Sequence, residues 1–155
     1  MKKFSIILFL AAILLQGCAS YRQVELMDVE FGKVRMKGLT KAEIAVALKI
    51  DNPTRNTFHI TSMGGFVYGE GVEFARFALV QEIQVPPGKP ALVPAIVSVE
   101  VADPLALLAK GLNLNTLKNG NFTVDASLQI RKGLVKKNFK IKDVPLEELL
   151  QGLNL

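Results

Sequence analysis

The sequence predicts an all-β protein, an antiparallel β-sandwich of about seven strands with one or two short helices. Apolar and polar residues alternate with a period of two, which directs one set of side chains toward a core and the other toward water. The alternation is clearest in residues 41–51 and 122–131. Because a helical period explains neither segment, both are predicted as strands.

Turn residues and weaker alternation define the other strands. The Pro-Pro-Gly-Lys-Pro run at residues 86–90 cannot continue a ladder, and the Lys-Gly pair at residues 132–133 fits a tight hairpin. In the first strand the apolar phase slips between Leu26 and Val29, which indicates either a β-bulge or a misplaced strand boundary. The remaining predicted strands cover residues 24–36, 57–68, 72–85, 91–101 and 134–142, and Gly69-Glu70-Gly71 marks another break.

Two short helices are predicted between and after the strands. Asp103 is a suitable N-cap, Pro104 fits a first helical turn and Gly111 closes the end. A second helix is predicted over residues 145–150, which carry acidic residues in the first turn and precede Gly152.

The N-terminus has the form of a bacterial lipoprotein signal. Two lysines precede an apolar run over residues 4–15, which is too short to span a hydrocarbon core of about 30 Å. The run ends at Leu15-Gln16-Gly17-Cys18, so we expect cleavage between Gly17 and Cys18 and a diacylglycerol on the Cys18 sulfur. An ordinary secretory signal or an uncleaved anchor is the alternative. The expected organisation is a removed signal (1–17), a lipidated tether (18–23) and one domain (24–155).

Composition narrows the class of protein. Removing 17 of the 155 residues leaves 138, enough for one domain, and Cys18 is the only cysteine, so no disulfide is expected. The formal net charge of +5 falls to +3 when Lys2 and Lys3 leave with the signal. This mild basicity suits an anionic membrane surface and lacks the clustered charge and stacking aromatics of a nucleic-acid binder.

The central part of the chain carries a family resemblance. Asp-Asn-Pro-Thr stands at residues 51–54, Phe-His-Ile at 58–60, Gly-Gly-Phe-Val-Tyr-Gly at 64–69, and Val-Pro-Pro-Gly at 85–88 before a valine-rich strand. These motifs resemble the late embryogenesis abundant group-two (LEA type 2) family, also called the WHy domain, over roughly residues 25–143. The family's Asn-Pro-Asn is here Asn52-Pro53-Thr54. The resemblance implies an immunoglobulin-like or fibronectin-like sandwich, a role in stress or desiccation tolerance, and no catalytic residues.

The Asn-Pro pair also has a physical role. Pro53 cannot donate to a ladder and keeps Asn52 extended, and the Asn52 amide can bond nearby backbone as the strand leaves the sheet. We therefore expect a structural staple.

Few residues of this chain are suited to catalysis. The single histidine, His59, is expected to face water, and a metal would need it together with carboxylates such as Asp51 or Glu70. His59, Ser62 and Asp51 can be grouped as a triad, but no strained glycine-flanked turn supports that reading. We expect no enzyme activity, no metal and no cofactor.

The last two predicted strands form a basic hairpin. Within it, Lys136, Lys140 and Lys142 share one face, opposite Val135 and Phe139. Such a surface can meet anionic lipid or an acidic envelope protein, or it can be a solvated face that protects an edge strand from unwanted pairing. The candidate contact residues are Arg131, Lys132, Lys136, Lys137, Lys140 and Lys142.

These observations predict a non-enzymatic, membrane-anchored envelope lipoprotein that binds or protects envelope components under stress. The alternative is an adaptor for envelope assembly or lipid transport, with a specific protein or lipid partner. Ala19 and Ser20 lack an acidic retention signal after the cysteine, which favours the outer membrane, facing the periplasm, if the host has one.

Overall fold

The computed structural model describes residues 23–109 and 120–152. Cys18 and the predicted signal and tether up to residue 22 lie outside the described residues, as does the predicted end of the first helix at Gly111. Eight strands are described: β1 (Glu25–Met36), β2 (Lys41–Asn52), β3 (Phe58–Gly69), β4 (Val72–Leu79), β5 (Ile83–Val85), β6 (Gly88–Val101), β7 (Phe122–Lys132) and β8 (Val135–Pro145).

All strand pairs are antiparallel and belong to one folded sheet. The strand order is β1-β2-β6-β4-β3-β7-β8, and β5 pairs with the start of β3. The halves β1-β2-β6 and β4-β3-β7-β8 have the A-B-E and C′-C-F-G order of immunoglobulin-like sandwiches. Strand β4 joins the halves because it pairs with β3 on one side and with the last residues of β6 on the other. The predicted all-β sandwich is confirmed.

The core lies where the two halves face each other. Val46 and Val93 from the first half pack in one buried cluster with Phe58, Ile83 and Val85 from the second. Phe58 and Val85 are each only 2% exposed. Burial of these apolar side chains on the inward face of alternating strands holds the layers together.

One predicted strand is wrong, because residues 72–85 form two strands. The chain leaves β4 at Val80, whose N–H donates to the carbonyl of Ile96, and then crosses to pair β5 with Phe58–Ile60 of β3. The break at residues 80–82 therefore moves the chain from the middle of β3 to its start.

Strand β6 also begins earlier than predicted, at Gly88 rather than at residue 91. Gly88 has φ +103° and pairs with Asn52, so the non-strand part of the proline-rich turn shrinks to Pro86 and Pro87. Pro90 and Pro94 are tolerated because the β6 ladder to β4 starts only at Val97.

Two hairpin turns match their sequence signals. Glu70 (φ 53°) and Gly71 (φ 80°) form the type I′ geometry between β3 and β4. Gly133 (φ 60°) is the first central residue of the two-residue turn between β7 and β8, as in a type II′ turn. The slip near Leu26 is a bulge, since the register of β1 against β2 shifts between Leu26 and Asp28.

Two short helices are described, α1 (Pro104–Ala109) and α2 (Leu146–Gly152). Asp103 caps α1 by accepting a hydrogen bond from the Leu105 N–H at 3.0 Å, as the sequence predicts. In the described part of the chain no helix is long and apolar enough to cross a membrane.

Candidate functional site

An apolar cavity of about 230 Å³ lies between the two halves of the sandwich. Seven strands or their flanks, β1 to β7, supply its wall, and every lining residue is apolar. Phe58, Ile83 and Val85 are among its buried lining residues, at 2–5% exposure. Val24 and Leu26 also line it, and Leu26 is 43% exposed, which places the rim beside the start of β1.

The cavity is large for the interior of a small domain. An engineered apolar cavity of about 150 Å³ stays dry and binds benzene, and this one is larger by about half. An empty cavity costs about 24 cal/mol per Å³, which gives on the order of 5 kcal/mol here. Since apolar side chains line the wall and little of its surface is polar, an apolar occupant is the chemistry that fits it.

The inner faces of both edge strands extend this apolar surface. Phe31 of β1 is paired with Val46 and shares its inward face, yet is 60% exposed. Phe139 of β8 is paired with Leu128, which lines the cavity, and is 37% exposed. Among the described strands, β1 and β8 each pair with one neighbour only, so this edge of the sandwich presents apolar residues from both strands.

Asn52 closes the sandwich at the end where β1 begins. The side chain is fully buried, and its Nδ2 donates to the carbonyl oxygens of Asn56 (2.9 Å), Pro86 (3.1 Å) and Val85 (3.4 Å). Its Oδ1 accepts from the Thr54 hydroxyl at 2.6 Å and from the Thr54 N–H at 3.2 Å. The predicted staple is confirmed: one amide joins the end of β2 to the β5–β6 turn.

His59, Glu82 and Arg131 form a polar cluster on the outer face. Glu82 Oε1 lies 2.7 Å from His59 Nδ1 and 3.0 Å from Arg131 Nη2. The hydrogen bond from His59 and, after it, the hydrogen bond and charge of Arg131 lower the pKa of the Glu82 carboxyl, although partial desolvation opposes them. His59 lies on the outer face, as predicted, but its side chain is only 19% exposed and is bonded to Glu82.

The cluster has the geometry of a surface ion network. His59 bonds Glu82, and neither Asp51 nor Ser62 is among its partners. Across residues 23–109 and 120–152, no three His, Cys, Asp or Glu side chains are grouped to hold a metal ion. The three residues connect β3, the β5 flank and β7, so they brace the outer wall of the cavity.

The basic hairpin residues do not share one surface. Arg131 bonds Glu82 and reaches the Gly133 carbonyl at 3.5 Å, so it stabilises the turn. Lys137 lies on the Phe139 side of β8, with its Nζ 5.4 Å from the ring centroid. The outer face carries Lys136, which is paired with Arg131, and farther along Lys140 and Lys142, which line a shallow hollow with Ser127. Lys132 flanks the turn opposite Val135.

Comparison with known proteins defines the fold alone. No family model matches the chain and no curated protein does. A crystal structure of a protein from Archaeoglobus fulgidus is similar, at 14% identity and a TM-score of 0.51, over 76% of this chain and 91% of that one. Weaker similarity extends to a β-glucuronidase of glycoside hydrolase family 2 (11% identity, TM-score 0.37, 74% of this chain and 11% of that one). The GAE domain of yeast GGA1 is similar at 7% identity and a TM-score of 0.35, over 73% and 85% of the two chains.

Proposed function

We propose that the protein is a non-enzymatic, lipid-anchored envelope protein whose sandwich binds the acyl chain of a lipid between its two halves. The observation that carries the proposal is the cavity of about 230 Å³, which is lined by apolar residues only and has a predominantly apolar surface. This choice favours the lipid-binding alternative of the sequence analysis, because a cavity lined by apolar residues suits an alkyl chain.

The volume sets the length of chain that fits. At about 30 Å³ for each water-sized group, the cavity holds about seven or eight methylene-sized groups. Burying each methylene contributes about 0.8 kcal/mol, so a filled cavity gains about 6 kcal/mol before the costs of binding. Such a gain corresponds to a dissociation constant of roughly tens of micromolar from burial alone.

The position of the cavity supports a lipid ligand in another way. Val24 and Leu26 line it and stand only six and eight positions after Cys18. Six extended residues span at most about 20 Å, so an acylated Cys18 holds the cavity rim within that distance of a bilayer. An outer-membrane anchor facing the periplasm is part of the proposal.

A chain-length series tests the proposal. Displacement of a fluorescent fatty acid from the purified protein is measured with saturated fatty acids from butyrate to palmitate, below their micellar concentrations. We expect affinity to rise about fourfold per methylene up to about eight carbons and then to level off. Affinity that keeps rising through palmitate indicates adsorption to an open surface, and absence of displacement contradicts the proposal.

Cavity-filling variants locate the ligand. Ala95 is 4% exposed and lines the cavity, so Ala95→Leu fills part of it and should shorten the optimal chain. Val97→Phe fills the cavity from a second position on the same strand. The matched control is Leu92→Phe, which adds volume at a 56% exposed position on the same strand and should leave binding unchanged.

The protective role under water stress that the family resemblance implies stays a prediction. It is tested by drying a client enzyme with and without the domain. Equal recovery of client activity in both samples would contradict a protective role for this protein.

A further inference from the structure

We propose that the tip of the β7–β8 hairpin docks the domain on an anionic phospholipid bilayer beside the anchor, with Leu134 inserted and the flanking lysines on the headgroups. The proposal rests on the proposed lipid anchoring and acyl-chain binding, and it adds the surface and the orientation. It identifies a side chain that meets the membrane.

The tip combines exposed apolar and basic residues. Leu134 is 101% exposed and Val135 is 62% exposed, although both are large aliphatic side chains. Lys132 and Lys136 stand on either side, and residues 126–142 contain no acidic residue. Aliphatic side chains at a turn between lysines are the pattern of a bilayer contact, since the aliphatic part enters the interface and the ammonium groups meet anionic headgroups.

The register places this tip at the same end of the sandwich as the start of the domain. Glu25, the first residue of β1, pairs with Asp51, and the neighbouring Asn52 bonds the β5–β6 turn. Strand β5 pairs with the start of β3, where His59 is opposite Arg131 near the end of β7. The start of β1 and the β7–β8 turn therefore lie at the same end of the described domain.

Because the tether is short, this placement also determines which end of the domain faces the bilayer. Cys18 is at most about 20 Å from Val24 along the chain, so an acylated Cys18 keeps this end of the sandwich close to the bilayer. The β1–β2 turn lies at the other end of β1, about 35 Å away at about 3.3 Å per residue. Only the end with the cavity rim and the β7–β8 tip then faces the lipid.

The opposite turn provides a matched control. Leu39 is 92% exposed and lies between Lys37 and Lys41, so it has the same residue types as the β7–β8 tip. If residue type alone drives membrane contact, both tips should insert. If the orientation is correct, only Leu134 should.

The test uses the full chain, purified from membranes and reconstituted in vesicles, with an environment-sensitive dye on Leu134→Cys or on Leu39→Cys. As a control, protein without an introduced cysteine is treated with the same dye, which measures any labelling of Cys18. Vesicles are made of phosphatidylcholine with or without phosphatidylglycerol, and their acyl chains carry bromine as a quencher. We expect quenching at position 134 that increases with phosphatidylglycerol and fades with salt, and none at position 39. Equal quenching at the two positions, or none at position 134 at low salt, overturns the proposal.

Charge removal gives a second readout in the same proteoliposomes. Replacing Lys132 or Lys136 by Gln should lower the ratio of docked to undocked protein about fivefold each. The matched change Lys41→Gln at the opposite turn should have no effect. A drop that is equal for all three variants indicates a general charge effect and contradicts the docking surface.

The two proposals can fail separately. Ala95→Leu should lose long-chain ligand binding and keep the quenching at position 134, because the substitution lies inside the cavity. Conversely, the fatty-acid series is measured without vesicles, so its outcome does not depend on docking.

Discussion

Replacing Asn52 should destabilise the protein far more than its location at the end of a strand suggests. The side chain is fully buried, and its amide donates to three carbonyl groups, those of Asn56, Val85 and Pro86. Asn52→Ala leaves these acceptors and the Thr54 donors without their partner. Leaving a buried polar group unsatisfied costs about 1–3 kcal/mol, and water can replace some of the partly buried contacts, so we expect a total of about 2–4 kcal/mol.

Asn52→Asp tests the direction of the hydrogen bonds at constant shape. The substitution puts a carboxylate oxygen where the amide nitrogen donates, facing three carbonyl oxygens. Burial and repulsion raise the pKa of the new carboxyl in the folded state, so the charged form is disfavoured. The loss of stability relative to wild type is therefore small in acid and grows as the pH rises above the unfolded pKa of about 3.9.

Urea unfolding at several pH values measures both effects. At about 1–3 kcal/mol per molar urea, the Asn52→Ala variant should unfold about 1–2 M earlier than wild type at neutral pH. Asn138→Ala is the control, because this exposed side chain bonds only Gln129 at the surface, and it should change stability by less than about 0.5 kcal/mol. If Asn52→Ala matches the control, or if Asn52→Asp is as stable as wild type at neutral pH, the staple does not hold the sandwich closed.

Three further predictions concern other parts of the chain. Cys18→Ala should release the protein from the membrane fraction or leave it unprocessed, and normal cleavage with retention in membranes would contradict the lipoprotein signal. Gly65→Ala should cost about 1–3 kcal/mol in thermal or urea unfolding, because a Cβ there overlaps the Asp125 carbonyl oxygen. Glu82→Gln should lower the melting temperature fully at pH values above the usual carboxyl pKa of 4.5 and progressively less as the pH falls below it, because the hydrogen bond from His59 lowers the pKa of Glu82 in the folded state. A deficit for Glu82→Gln that persists unchanged at low pH would refute this assignment.

Local patterns predicted most of the fold. Period-two alternation located β2 and β7, because each has one face on the core and the other outward. The glycines in the sequence predicted the positions of the β3–β4 and β7–β8 turns, because Gly71 and Gly133 adopt a positive φ there. The Asn52 staple was predictable because proline excludes residue 53 from a ladder and leaves the preceding amide as the nearest donor.

The break between β4 and β5 was not predictable from alternation. Both parts continue the apolar pattern, and what separates them is the choice of partner, since β4 pairs with the second half of β3 and β5 with the first. The start of β6 at Gly88 depends in the same way on pairing with Asn52 across the sheet. Pairing between strands that are distant in the sequence therefore determines both the β4–β5 break and the start of β6.

The candidate site was only partly accessible to sequence reasoning. The basic residues of the hairpin were found, but Arg131 bonds a glutamate 49 positions away and Lys137 lies on the other face. The cavity had no sequence signal, because its lining residues have the same types as a filled core and the unfilled volume depends on the distance between the layers.

The central claim, that an acyl chain binds between the two halves of the sandwich, is tested most directly by photocrosslinking. A fatty acid of about eight carbons with a diazirine at its terminal carbon is bound to the purified protein, irradiated, and mapped by mass spectrometry of the peptides. We expect labelling of the buried cavity wall, at Phe58, Val85 or Ala95, and loss of that labelling in Ala95→Leu. Labelling confined to the outer hollow near Phe66 and Lys140, or labelling unchanged by the cavity-filling variant, would contradict the claim.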